Sequence, residues 1–150
     1  MKKGLLVFVA MIMFVAAHAQ IETPVRWSYA AKKLNAKEAV VFLKATIQTG
    51  WHIYSLNVKD GGPIKTSFVF NPSKDYSTTG KPVEPTPITK FEKSFGMDVS
   101  YFEKEVVFQQ KIALKSAKAK AVTGKLTYMT CNDQKCLPPE DIDFSVPLSQ

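Results

Sequence analysis

The sequence predicts an all-β protein, specifically an immunoglobulin-like antiparallel β-sandwich. Apolar residues recur with period two rather than at helical spacing, chain breakers fall at short intervals, and no segment carries a convincing helical stripe. Seven or more short strands in a chain of this size suit two packed sheets with a shared core.

The strands can be taken in order. Residues 25–30 alternate around Trp27 and Tyr29. Residues 38–48 place Val40, Phe42, Lys44 and Thr46 on one parity and Val41, Leu43, Ala45 and Ile47 on the other, and the second parity is expected to face the core. Residues 66–70, 99–102, 106–114 and 124–130 continue the series, and 142–146 close it. Between them lie Gly61-Gly62-Pro63, Asn71-Pro72, the stretch 80–87 with Pro82, Pro85 and Pro87, and the doublet Pro138-Pro139. All four are poor places for regular structure. Residues 116–121, rich in Ala and Lys, suit either a helical turn or a strand connection.

Residues 1–19 have the form of a cleaved signal peptide. Lys2 and Lys3 make a positive start, an apolar run follows over 5–16, and Ala17-His18-Ala19 supplies a small-x-small cleavage site before Gln20. The apolar run is too short and wrongly flanked for a good membrane span. The expected mature chain is a single exported domain over 20–150, monomeric and without stable membrane insertion. Removing two lysines from a formal charge of +7 leaves +5, spread over scattered lysines, with Arg26 the only arginine. That is a solvated surface, lacking the arginine-rich stripe with interleaved aromatics of a nucleic-acid interface.

Cys131 and Cys136 are the only cysteines. A disulfide closing so small a ring contributes about 2 kcal/mol by loop-closure entropy, against more than about 4 for a bridge spanning most of a domain. It is poorly placed as a staple, but such a ring can be made and broken without unfolding anything, as a reversible dithiol requires. On spacing alone, an inert structural bridge and an exchanging pair both remain open. Lys135 beside Cys136 would lower a thiol pKa and Asp133 would raise one, and Pro138 argues against a helix that could activate either thiol. Thiols of ordinary acidity, activated by an incoming partner, are expected.

Other chemistries are thinly supported. A zinc site needs more ligands than two cysteines and His52, the only histidine after residue 19. Hydrolase chemistry requires a base held beside the nucleophile, and His52 has no sequence-local partner to orient it. No glycine-rich phosphate loop is present. The expectation is no metal and no organic cofactor.

Gly50-Trp51-His52-Ile53-Tyr54-Ser55 followed by Gly61-Gly62-Pro63, then Phe95-Gly96 with Val99-Ser100-Tyr101, then Tyr128-x-x-Cys131 with Cys136-x-Pro138-Pro139-Glu140 occur in that order. Together they resemble the N-terminal periplasmic domain of the thiol:disulfide interchange reductase DsbD, over roughly residues 25–146. The resemblance implies an immunoglobulin-like sandwich whose cysteine pair relays electrons in the periplasm. Its dithiol would pass them to disulfide isomerases and cytochrome c maturation thioredoxins, with thioredoxin-like proteins or domains as both donor and acceptor. Carried over by position, Cys136 forms the mixed disulfide and Cys131 resolves it. Phe95 is the shielding ring of a cap loop and Phe91 the reserve, while Tyr128, Lys135, Asp133 and Pro138 neighbour the pair. Four residues separate the cysteines, one fewer than in the best-known members. The sequence to Gln150 holds neither a following membrane segment nor a thioredoxin-like domain, so a separate electron donor or a freestanding role is expected. A different class of function also fits: a secreted sandwich that binds a protein or envelope component and carries a purely structural disulfide.

Overall fold

The computed structural model describes residues 22–148. Eleven strands follow in chain order: β1 (Val25–Lys33), β2 (Glu38–Ile47), β3 (His52–Tyr54), β4 (Ser67–Phe70), β5 (Tyr76–Val83), β6 (Ile88–Glu92), β7 (Met97–Glu103), β8 (Glu105–Leu114), β9 (Ala121–Tyr128), β10 (Thr130–Cys131) and β11 (Glu140–Pro147). The fold is an all-β, immunoglobulin-like sandwich in which every named strand pair is antiparallel.

Period-two burial builds the core. On β2, Ala39, Val41, Leu43, Ala45 and Ile47 are buried. Their partners on β8 include Ile112, Phe108 and Val106, so one apolar face spans two central strands. The first sheet has the order β1-β2-β8-β5 and the second β11-β9-β4. They meet through Trp27, whose ring lies 6.1 Å from Phe108 of its own sheet and 6.0 and 5.5 Å from Phe68 and Tyr128 of the facing one. Aromatic packing at this spacing adds about 0.5–1.5 kcal/mol per pair beyond area burial.

The third sheet, β10-β3-β7-β6, positions the cysteines. One of its faces sends Ile53 and Phe102 into the main core. Tyr54, Val99, Tyr101 and Cys131 form a smaller apolar cluster of their own. Single residues connect this sheet to the sandwich. Met129 lies between β9 and β10, and Lys104, with φ of 63°, turns the corner from β7 to β8. The Lys104 carbonyl accepts a 2.7 Å hydrogen bond from Ile47 N, which fixes that corner to the end of β2.

Two elements depart from the sequence expectation. The stretch 80–87 is not wholly irregular, because β5 continues to Val83 through Gly80 and Pro82. The register against β8 shifts between Thr79 and Val83, and the buried Gln110 side chain fills the irregularity, donating from Nε2 to the carbonyls of Thr79 and Lys111 at 3.1 and 2.8 Å. A bulge lets a strand carry proline and glycine without a continuous ladder. The second is β6, directly after Pro87, which lies at a sheet edge and pairs only with β7. Residues 116–121 form a turn closed by Ala119 N to Ser116 O, followed by β9.

Candidate functional site

The segment after Tyr128 folds into a tight hairpin. Asn132 N donates to Lys135 O at 2.9 Å and Leu137 N to Thr130 O at 2.9 Å. Cys131 and Cys136 are thus the opposed pair between two hydrogen-bonded rungs, with Cα atoms 4.0 Å apart and a disulfide joining them. Such non-hydrogen-bonded positions bring side chains closest in an antiparallel ladder. Asn132 makes the turn: its Oδ1 accepts from Gln134 N at 2.9 Å and Lys135 N at 2.8 Å, an Asx turn.

The two sulfurs differ in access. Cys131 is 2% exposed and belongs to the apolar cluster with Tyr54, Val99 and Tyr101, whereas Cys136 is exposed. A cleft over the pair is lined by His52, Tyr54, Glu92, Ser94, Phe95 and the hairpin itself. Phe95 reaches it from the turn between β6 and β7, where Phe95 N and Gly96 N both donate to Glu92 O. Gly96 takes φ of 64°, a conformation that favours glycine. Phe95 is half-buried and packs against the Cys131 cluster. Phe91 is 57% exposed and does not line the cleft.

The remaining sequence candidates separate. Asp133 and Lys135 line the cleft, and Lys135 Nζ lies 2.6 Å from Glu22 Oε2, so its charge is shared with a carboxylate. Pro138 is exposed beyond the cleft lining. Tyr128 is buried in the main core against Trp27 rather than on the cleft, and burial raises its hydroxyl pKa, with the Glu140 carboxylate adding. His52, weighed from the sequence only as a metal ligand or hydrolase base, also lines the cleft. Tyr54 lines the cleft, and its hydroxyl is pushed up to about 12 by burial and by Glu92. Contrary to the expectation that nothing nearby in sequence orients His52, its Nε2 lies 3.3 Å from that hydroxyl, two residues on. Burial pulls the His52 imidazole below its usual value, against the opposing fields of Glu92, Glu103 and Asp133.

Glu84 is a residue that sequence reasoning missed. Its carboxylate accepts from Ser55 Oγ at 2.5 Å, Leu56 N at 2.8 Å and Asn57 Nδ2 at 2.8 Å. It ties the chain entering β6 to the chain leaving β3, the two elements that frame the cleft. No local signal could reveal it, because its partners lie 27 to 29 residues away.

A buried and an exposed sulfur are thus joined across a hairpin, with Phe95 in the lining of the same cleft. The model for the N-terminal region of the thiol:disulfide interchange protein DsbD matches residues 21–147. The chain belongs to the DsbD N-terminal family. Among solved structures it is similar to the N-terminal periplasmic domain of ScsB from Proteus mirabilis, with TM-score 0.63, 21% identity and 88% of this chain covered. It covers 49% of that ScsB chain, about half its length. The reduced DsbD N-terminal domain of Neisseria meningitidis matches with TM-score 0.55 and 18% identity, over 88% of this chain and 94% of that one. The same organism's complex between the DsbD and PilB N-terminal domains matches with TM-score 0.55 and 18% identity, over 84% of this chain and 87% of that one. A search of curated protein sequences gives no match. At these identities the structural likeness concerns the fold. The signal-peptide expectation for 1–19 lies outside the described residues, among which no helix is long and apolar enough to cross a membrane.

Proposed function

We propose that the mature chain, a single domain over 20–150, is a periplasmic thiol-disulfide exchange domain that relays electrons through Cys131 and Cys136 to the disulfides of thioredoxin-like partners. The observation that carries this is the asymmetry of the pair, one sulfur buried and its partner exposed at the hairpin surface. In the reduced state the Cys136 thiolate attacks a partner disulfide and a mixed disulfide forms, while one partner sulfur leaves as thiolate. Cys131 then attacks the Cys136 sulfur, the intramolecular disulfide closes, and the second partner sulfur departs reduced. Two electrons move to the partner and no cofactor takes part.

The hairpin suits this cycle because its backbone rungs flank the disulfide on both sides. Opening the bridge leaves both strands paired, so little structure is lost with each turn. That same point weighs against a purely structural bridge, which would add little to a hairpin already closed by hydrogen bonds. Phe95 serves as the cap that limits access until a partner displaces it.

Cys131→Ser tests the reading. Incubated reduced with an oxidised thioredoxin-like protein, it accumulates a mixed disulfide through Cys136, whereas Cys136→Ser, left with only the buried sulfur, accumulates little. A folded Cys131→Ser protein that traps no partner contradicts the relay.

A further inference from the structure

The sheet β10-β3-β7-β6 carries a row of side chains that the exchange cycle leaves unexplained. In the observed register Cys131 stands opposite His52, and His52 stands opposite Glu103. Directly opposed residues on antiparallel strands project from the same face, with Cβ atoms about 4.5–5.5 Å apart. A thiol, an imidazole and a carboxylate therefore lie in line across three strands, from positions far apart in the chain. His52 also lines the cleft over the disulfide. Its Nε2 is engaged with the Tyr54 hydroxyl, and among the described residues its Nδ1 makes no hydrogen bond.

The buried sulfur needs such a neighbour. Exchange requires a thiolate, and Cys131 at 2% exposure has almost no solvent to receive its proton. We propose that His52 is the proton acceptor for Cys131 when the mixed disulfide is resolved, with the Glu103 carboxylate, its cross-strand neighbour, supplying negative charge beside the imidazolium. The inference rests on the exchange reading above. In the step, the Cys131 S–H proton passes to His52 Nδ1, the resulting thiolate attacks Cys136 Sγ, the Cys131–Cys136 bond forms, and the Cys136–partner bond breaks. The partner leaves as a thiolate and the imidazolium later returns its proton to solvent. Tyr54 accepts from Nε2–H throughout.

The groups facing His52 fit the role. Glu103 and Tyr101 come from β7, Glu92 and Lys90 from β6, Asp133 from the hairpin turn and Tyr54 from β3. The carboxylates favour the imidazolium as it forms, while burial keeps the resting ring neutral and able to accept.

Reduced protein mixed with a chromogenic nitrobenzoate disulfide separates the two steps. The first release of thiolate reports attack by Cys136 and the second reports resolution by Cys131. In the wild type the second rate rises through the His52 titration, followed independently by NMR of the imidazole, and levels off above it. His52→Gln slows the second release relative to the first by about a hundredfold near pH 6.5, the low end of the usual share for a lost general base. The deficit closes as pH climbs into the ordinary thiol range, near about 8.5, and free imidazole restores the rate of His52→Ala. Glu103→Gln, at an exposed position, moves the bend of the second rate to lower pH. A second release with unchanged rate and bend in His52→Gln overturns the proposal. Should that variant not fold, an unmoved bend in Glu103→Gln does so. A wild type with no second release overturns the exchange reading, and the proposal with it.

Discussion

Phe95 and Cys131 line one cleft from different elements, the ring from the turn between β6 and β7 and the sulfur from β10, and they pack in the same apolar cluster. The turn is held by two hydrogen bonds to Glu92 O. Phe95→Ala is expected to speed reduction of the disulfide by dithiothreitol several-fold. Because the ring is only half-buried, stability should fall by about 1–2 kcal/mol, below the usual cost of truncating a core phenylalanine. Stopped-flow reduction with parallel urea melts checks both, and an unchanged reduction rate removes the cap role.

Glu84 should be the structural tie of the cleft. Glu84→Ala leaves Ser55 Oγ, Leu56 N and Asn57 Nδ2 without their acceptor. Ser55 is fully buried, so the expected cost is about 2–3 kcal/mol, in line with hydrogen bonds to a charged group. Amide exchange should quicken at Leu56 and along β6 while β2 and β8 keep their protection.

At Gly124 the chain has no room for a side chain. A Cβ there would sit 2.3 Å from the Val69 carbonyl oxygen and 2.6 Å from the Phe144 ring. The first of these is backbone of the neighbouring strand β4, which cannot rotate away. Gly124→Ala is expected to cost about 2–3 kcal/mol by overpacking, read as a lowered urea midpoint in oxidised and reduced protein alike.

Stability should fall on both sides of neutrality. The folded protein holds His52 below its unfolded value near about 6.5, so between those two values the unfolded chain binds more protons and stability drops as pH falls. Tyr54 and Tyr128 are raised, so above about pH 10 the unfolded chain loses protons that the folded one keeps, and stability drops again as pH rises. Urea midpoints across pH should show both limbs, and His52→Gln should flatten the acid one.

Much of this was legible because burial on a sheet alternates. The parity of Val41, Leu43, Ala45 and Ile47 was expected to face the core and does so. The sandwich class followed from the same pattern. The strands β5 and β6 were not legible, since Gly80, Pro82, Pro85 and Pro87 signal breaks, and at the irregularity in β5 the Gln110 side chain that bonds the Thr79 carbonyl comes from 31 residues away in sequence. The cysteines announced themselves by number and spacing. His52 did not, because its relation to Cys131 and Glu103 exists only in the register of three strands. Tyr128 lies close to Cys131 in sequence yet points into the main core, as the chain changes sheets at Met129.

The central claim is that the Cys131–Cys136 bridge opens and closes in service of partners. Its most direct test is the equilibrium of the pair in graded glutathione or dithiothreitol buffers, read by thiol alkylation and mass shift on the mature protein. The account predicts a potential in the exchangeable range, about −180 to −270 mV, whereas a value below about −300 mV would mark a structural bridge and contradict it.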